Sequence, residues 1–300
     1  MKRNTFFLTI IITLPLMLAA CGENGDASKD PLVVSGKNWT EQYILSQVLA
    51  IYIEENTDYP VELKDGLGEV AVLNPALADG EIDMYVEYTG TGLEAVLDEQ
   101  AEPGESSDSI LNRVREGYEE EYNATWLEPL GFENNYTLAY TEQADFEAET
   151  YSDVAAASEN LSFGAPHAFY ERQGDGYDAF KEAYDFNFAQ TESFDPNVMY
   201  KALLQGEVDV IPAFTTDGRI ERENIQTTED DLGFFPKYDA AIVIRQEILE
   251  NYPELEESLN GLAGQISESD MQQMNAKVDI DGEEYEAVAR EFLESKELIE

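Results

Sequence analysis

Two stretches of the chain, 126 residues apart, follow the same pattern. Residues 76–92 read ALADGEIDMYVEYTGTG, and residues 202–218 read ALLQGEVDVIPAFTTDG. Each combines the end of a helix, a glycine suited to close it, a short apolar strand, and an aromatic residue followed by threonine. The aromatic residues are Tyr88 and Phe214. A repeated helix–strand unit predicts two similar α/β lobes, and chance similarity between two such joints is the alternative.

Strands alternate with helices along most of the chain. The sequence predicts strands at residues 31–35, 60–67, 82–88, 161–165, 208–214 and 240–245, and a mostly helical tail at 253–298. Thr40 is the predicted N-cap of the first helix. Ligands of open α/β sheets bind beyond the carboxyl ends of strands. We therefore expect each lobe to offer one strand-end aromatic ring and one threonine hydroxyl to a cleft between the lobes.

The first twenty residues have the pattern of an export signal. Lys2 and Arg3 precede an apolar run that ends at Leu16 and is shorter than the ~20 residues of a membrane-spanning helix. The Leu-Ala-Ala-Cys sequence that ends at Cys21 resembles the lipobox of bacterial lipoproteins, so we expect residues 1–20 to be a signal peptide and Cys21 to be lipidated. An ordinary secretory signal is the alternative. Residues 21–31 then form a tether, and a single cysteine excludes internal disulfides.

The charge of the chain is strongly acidic. It has 64 acidic and 17 basic residues and a formal net charge of −47, which argues against nucleic acid as a partner. A hydrophobic fraction of 43% and an aromatic fraction of 11% are too high for a disordered chain. We interpret the acidity as a solvated coat that suits a saline habitat.

The sequence offers little to an enzyme. His167 is the only histidine, so a Ser-His-Asp triad, Cys/His chemistry and a histidine-bearing metal cluster are not expected. There is no phosphate-binding glycine loop, and DIDGEE at 279–284 lacks the spacing of a calcium loop. We expect neither a catalytic group, nor a metal, nor a cofactor. What the repeat does offer is aromatic faces, which bind quaternary ammonium groups well.

Several motifs together resemble one known family, the extracytoplasmic binding proteins of ABC importers for glycine betaine, proline betaine, carnitine and choline. The resemblance extends from about Val33 to the C-terminus and is carried by SGKNWTEQYIL (35–45), DGLGEVAVLNPAL (65–77), DMYVEYTGTG (83–92), LGFENNYTLAY (130–140), DPNVMYKAL (195–203), VIPAFTTDGRI (210–220) and FFPKYDA (234–240). It implies a two-lobed α/β periplasmic-binding-protein fold of type II with a hinge of two crossing strands. The first lobe would comprise residues 32–138 and 240–300, and the second residues 139–239.

The resemblance also implies a ligand site. Its aromatic cage for a trimethylammonium group would consist of Tyr88, Tyr136, Tyr200 and Phe214, where the family usually has tyrosine at the last position. The backbone carbonyl of Asn134 would help to close the cage. The carboxylate of the ligand would be held by Lys37, Thr91 and Arg172.

The implied protein is a monomer that is held to the membrane by its lipid alone and delivers an osmoprotectant betaine to an ABC permease and its ATPase. A choline-preferring protein of the same fold is one alternative. A quaternary-amine sensor that is not coupled to import is another, and an extracytoplasmic enzyme acting on a quaternary amine is a third.

Overall fold

The computed structural model describes residues 30–102, 104–171 and 176–300. Within these residues, the strands β1 to β10 have the bounds Leu32–Ser35, Val61–Lys64, Met84–Tyr88, Ala124–Glu133, Tyr136–Thr141, Ser162–Pro166, Gln190–Phe194, Ile211–Phe214, Ile225–Thr227 and Asp239–Arg245. The helices α1 to α13 have the bounds Thr40–Asn56, Val70–Ala78, Thr89–Thr91, Ser107–Glu121, Tyr151–Ala157, His167–Glu171, Tyr177–Tyr184, Pro196–Leu204, Gly218–Arg222, Gln246–Asn251, Pro253–Leu259, Glu268–Asp279 and Tyr285–Ser295.

The first lobe is built around a five-stranded sheet in the order β2-β1-β3-β10-β4. Strand β1 is parallel to β2 and β3, and β10 is antiparallel to β3 and β4. One face of the sheet packs against a stripe of α1 that includes Ile44, Leu45 and Val48, together with residues of α11 to α13. Residues of α2 and α4 cover the other face. Burial on both faces explains why β3 and β10 are almost continuously apolar.

The second lobe contains a three-stranded sheet, β8-β5-β9, and a parallel pair, β6-β7. A single parallel bridge between Phe163 and Val210 connects β6 to the strand segment that leads into β8. The main core of the second lobe is rich in aromatic rings, and Phe163 and Phe180 are almost completely buried in it. The chain passes from the first sheet to the second at residues 134–135 and returns through residues 228–238.

The two repeated stretches adopt equivalent structures. Gly80 and Gly206 follow α2 and α8, and both have a positive φ, +75° and +70°. Asp83 accepts a hydrogen bond at Oδ2 from the backbone N–H of Val33 in β1 (2.8 Å), and Asp209 accepts one from that of Ser162 in β6 (2.7 Å). Each aspartate therefore ties its strand to the preceding parallel strand. The repetition in sequence is thus a repetition in structure.

Contrary to our expectation, the threonines of the repeat, Thr89 and Thr215, do not offer their hydroxyls to the cleft. The hydroxyl of Thr89 donates to the carbonyl of Lys237 (3.0 Å) and accepts from the N–H of Asp239 (3.1 Å). In the other lobe, the hydroxyl of Thr215 donates to the carbonyl of Glu133 (3.0 Å) and accepts from the N–H of Asn135 (3.2 Å). Each hydroxyl is used to bind one of the two segments that connect the lobes, because these segments run past the ends of β3 and β8.

The type II α/β prediction is confirmed, and every predicted strand is present, although most are shorter than predicted. The prediction that Thr40 caps α1 is wrong: Trp39 holds the N-cap position without a side-chain bond, and the Thr40 hydroxyl donates to Asp279 Oδ1 (2.6 Å). The lobe boundaries stay a prediction, and the one at 138 falls within β5. The signal peptide, Cys21 and most of the tether lie outside the described residues. Within those residues, no helix is both long and apolar enough to cross a membrane.

Candidate functional site

A cleft of about 550 Å³ lies between the lobes, a size typical of small-ligand sites. The first lobe contributes residues from the β1–α1 turn, from α1, from the end of β3 and from α12. The second lobe contributes β5, the end of β8 and α9. The residues lining the cleft are Lys37, Trp39, Thr40, Glu41, Glu69, Tyr88, Thr91, Asn134, Tyr136, Phe214, Thr216, Asp217, Gly218, Arg219, Tyr238, Asn275 and Asp279.

Three of the four predicted cage residues line this cleft. Tyr88 comes from the first lobe, whereas Tyr136 and Phe214 lie opposite each other in the antiparallel pair of β5 and β8. The Tyr136 and Phe214 ring centroids are 4.8 Å apart, and Phe235 stacks on Tyr136 at 4.6 Å. Phe214 is 46% exposed, which is unusual for a phenylalanine at the end of a buried strand. The cleft therefore has aromatic faces on both of its walls.

Residues at the start of α1 fix the orientation of the Tyr88 ring. Its hydroxyl donates to Glu41 Oε1 (2.5 Å) and accepts from Gln42 Nε2 (3.1 Å). Burial, with Glu41 as the next cause, raises the pKa of Tyr88 well above its ordinary value, so the phenol stays protonated and acts as a donor. Trp39 stacks on the ring at a centroid distance of 6.0 Å. Because the hydroxyl has both of its bonds inside the protein, Tyr88 offers its ring and not its hydroxyl to a ligand.

Glu41 is a fully buried carboxylate at the floor of the cleft. Besides Tyr88, it accepts a hydrogen bond from Asn134 Nδ2 at Oε1 and one from Asn275 Nδ2 at Oε2, both 3.0 Å. Burial raises the pKa of Glu41, against the opposing effect of the bonds from Thr216, Tyr88, Asn134 and Asn275. The donors come from both lobes and from the connection between them, so Glu41 joins the parts of the molecule that form the cleft.

The predicted clamp residues have different surroundings. Lys37 lines the cleft but is only 4% exposed, and its Nζ lies 2.5 Å from Glu87 Oε1 in a buried ion pair. Thr91 lines the cleft at the end of α3. Asn134 lines it as well, and its backbone N–H donates to the carbonyl of Tyr238 (3.1 Å). Arg172 lies outside the described residues. The positive charge of Lys37 is thus already paired within the protein.

Tyr200, the fourth predicted cage residue, does not line the cleft. It is 5% exposed, and the guanidinium carbon of Arg219 lies 3.6 Å from its ring centroid. Arg219 does line the cleft and forms a bidentate pair with Asp217, Nε to Oδ1 at 2.8 Å and Nη2 to Oδ2 at 2.5 Å. A cation of the protein itself therefore occupies one face of Tyr200.

Sequence reasoning missed several cleft residues, among them Trp39, Glu41, Asp217, Arg219, Tyr238 and Asn275. Trp39 packs against the core of the first lobe and also lines the cleft. A signal for some of them was available. Glu41 lies within SGKNWTEQ and Arg219 within TTDGRI, two of the motifs that carried the resemblance.

A second, larger recess of about 1,810 Å³ lies beside β5 and the segments that connect the lobes. Nine carboxylates and one basic residue, Lys237, line it, and the carboxylates include Glu142, Glu147, Glu149 and Asp153. Of the predicted site residues that the structure describes, only Tyr136 borders it. The smaller cleft is the better candidate site because it combines rings from both lobes with buried polar groups. Among the described residues, no group of three or more His, Cys, Asp or Glu could hold a metal ion.

Comparison with known proteins agrees with this geometry. Residues 30–295 match the family model of the substrate-binding domain of the ABC-type glycine betaine transport system. The chain belongs to this family. Its members are extracytoplasmic substrate-binding proteins that work with a permease and an ATPase, and the family is a class of transport proteins rather than of enzymes.

Individual members of the family are similar over nearly the whole chain. The carnitine transport binding protein OpuCC of Listeria monocytogenes is 34% identical over 304 residues, which cover 100% of this chain and 98% of that protein. The ergothioneine transport permease/ergothioneine binding protein EgtU of Helicobacter pylori is 36% identical over 300 residues, which cover 98% of this chain but 53% of EgtU. A crystal structure of a glycine betaine/carnitine/choline ABC transporter has a TM-score of 0.85 at 31% identity and covers 91% of this chain and 100% of its own.

Proposed function

We propose that this protein captures a zwitterionic trimethylammonium compound, glycine betaine or a related betaine, and delivers it to an ABC permease as an osmoprotectant. The observation that carries the proposal is the placement of Tyr88, Tyr136 and Phe214 on the two walls of one cleft. A trimethylammonium group has no N–H to donate, so aromatic faces replace its hydration better than hydrogen-bond acceptors do. The protein acts as a monomer, is anchored by lipid at Cys21 alone, has no catalytic activity and suits a saline habitat.

Rings on both walls also explain why binding would be coupled to closure. A cation in the cleft contacts Tyr88 from one lobe and Phe214 from the other only when the lobes are close together. The ligand then has a higher affinity for the closed state and shifts the population toward it. The closed form is the one that a permease can distinguish from the empty protein.

The names of two relatives indicate further zwitterions that are candidate ligands. OpuCC is named as a carnitine-binding protein and EgtU as an ergothioneine-binding protein, and their identities to this chain are similar, 34% and 36%. Carnitine and ergothioneine both carry a trimethylammonium group and a carboxylate. The same cleft chemistry therefore serves all three ligands, and the rank among them depends on the space around the cage.

Calorimetric titration of residues 30–300 tests this proposal. The ligands are glycine betaine, carnitine, ergothioneine, choline and 3,3-dimethylbutanoate, in which carbon replaces the quaternary nitrogen of glycine betaine. We expect a zwitterion to bind most tightly and 3,3-dimethylbutanoate to bind at least ~10-fold more weakly than glycine betaine, because each ring contributes about 0.5–2 kcal/mol only to a cation. Tightest binding of choline would support the choline-preferring alternative. Equal binding of the two isosteres would contradict the cage.

A further inference from the structure

Arg219 and Tyr200 are arranged as a stacked pair in which the arginine lies on the side of the cleft. The guanidinium carbon is 3.6 Å from the centroid of the Tyr200 ring, which is the distance of direct contact. Arg219 lines the cleft, whereas Tyr200 is buried and does not. A ligand cation would have to displace the guanidinium before it could stack on this face of Tyr200.

Asp217 fixes the orientation of the guanidinium. Its carboxylate binds Nε and Nη2 of Arg219, and its Oδ1 also accepts from the backbone N–H of Arg219 (2.9 Å). Asp217 is the N-cap of α9, so this pair is built into the start of the helix. Burial lowers and the Asp217 carboxylate raises the pKa of Arg219, and the net direction is upward, so the guanidinium stays charged. The aspartate and the tyrosine face together leave the arginine little freedom to rotate.

The outer edge of the guanidinium remains available to a ligand. Nη1 makes no hydrogen bond to any described residue, and the Arg219 side chain is 33% exposed. Among the described residues that line the cleft, the other basic one is Lys37, which is 4% exposed and paired with Glu87. Arg219 is therefore the better-placed donor for an anionic group in the cleft.

We propose that Arg219 binds the carboxylate of the zwitterionic ligand and that Tyr200 is a positioning residue for Arg219 rather than a wall of the cage. The inference rests on the proposed function. The trimethylammonium group lies against Tyr88, Tyr136 and Phe214, and the carboxylate points toward α9. Choline has no carboxylate, so Arg219 and Asp217 together favour a betaine over choline. The structure thus has a specificity-determining residue that is separate from the rings.

The test is the affinity of the variants for glycine betaine and choline, measured by calorimetry. We expect Arg219→Gln to weaken the binding of glycine betaine by about 10- to 150-fold, since a hydrogen bond to a charged group contributes about 1.5–3 kcal/mol. The binding of choline should change less than threefold. Arg222→Gln is the matched control, because Arg222 is on the same short helix, pairs with Asp281 and does not line the cleft. Asp217→Asn combined with Arg219→Gln removes the carboxylate that the single change leaves unpaired, and the loss should persist there.

Tyr200→Leu separates the two roles of the tyrosine. If Tyr200 positions Arg219, this variant loses affinity for glycine betaine but not for choline, and it adds little to the loss in Arg219→Gln. If Tyr200 is a wall of the cage, the affinities for both ligands fall together, and the inference is overturned. Equal losses for both ligands in Arg219→Gln would also overturn it. A wild-type protein that binds neither ligand would overturn the proposed function itself, which separates that failure from a failure of the Arg219 assignment.

Discussion

Glu41 illustrates how much of the cleft depends on single buried groups. Its carboxylate accepts hydrogen bonds from Tyr88, Asn134 and Asn275, and it has no contact with solvent. The hydrogen bonds favour the ionised form and burial favours the protonated form, and burial has the larger effect on its pKa. The ionised form of the Glu41 carboxylate, which supports the ring of Tyr88, therefore lowers the free energy of unfolding.

The raised pKa of Glu41 predicts a pH dependence of stability. The folded protein binds the proton of Glu41 more tightly than the unfolded chain, whose ordinary pKa is 4.5. As the pH rises from 4.5 through the raised pKa, the wild type should lose stability relative to Glu41→Gln, by at most about 1.4 kcal/mol per pH unit. Below 4.5 the difference between the two should be constant. Urea unfolding of both proteins between pH 4 and 9 measures this difference, and a difference that grows in the opposite direction would show that the hydrogen bonds dominate.

At the scale of residues, the sequence indicated which residues line the cleft better than it indicated the contacts that these residues make. Tyr88, Tyr136, Phe214, Lys37, Thr91 and Asn134 were all expected at one site, and all line one cleft. Sequence could not show that Glu87 pairs with Lys37, because the partner is 50 positions away and is brought near by the pairing of β1 with β3. Nor could it show that Arg219 covers Tyr200, since the two residues lie on different helices, α9 and α8, whose relative placement the sequence does not reveal.

At the scale of elements, the repeated helix–strand unit determines where the two lobes are joined. Thr89 and Thr215 occupy the same position in the two copies, and each binds the backbone on both sides of one residue in a connecting segment. The sequence showed that these threonines correspond. It could not show that their hydroxyls bind the connecting segments, because those segments come from distant parts of the chain.

The two threonines give a matched pair of variants. We expect Thr89→Val and Thr215→Val each to destabilise the protein, by about 1–3 kcal/mol for a buried N–H that loses its acceptor. Thr89 is completely buried and Thr215 only partly, so the loss should be larger for Thr89→Val. Thr191→Val, at an exposed position in β7, is the control and should change stability by less than about 0.5 kcal/mol. Urea unfolding provides the comparison, and losses no larger than that of the control would contradict the role of the hydroxyls.

At the scale of the whole molecule, the acidic charge, the cleft and the larger recess raise the question of where a cation would bind. The larger recess is lined by many carboxylates, whereas the cleft is lined by the rings of Trp39, Tyr88, Tyr136, Phe214 and Tyr238 and by the ion-paired Lys37 and Arg219. Exposed carboxylates attract any cation and are screened by salt, so they do not select a quaternary ammonium group. Rings in a closing cleft do select it, because they are effective only after the ligand has lost its water. The sequence predicted two lobes and a cleft. It did not predict the volume of the cleft or of the larger recess, because these volumes depend on how the lobes pack.

A crystal structure of residues 30–300 with bound glycine betaine would show whether the rings of both lobes hold the ligand. We expect the quaternary nitrogen to lie within about 6 Å of the ring centroids of Tyr88, Tyr136 and Phe214. We also expect both lobes to contact the ligand. A ligand found in the larger acidic recess, or in contact with one lobe alone, would rule out an aromatic cage formed by the two lobes.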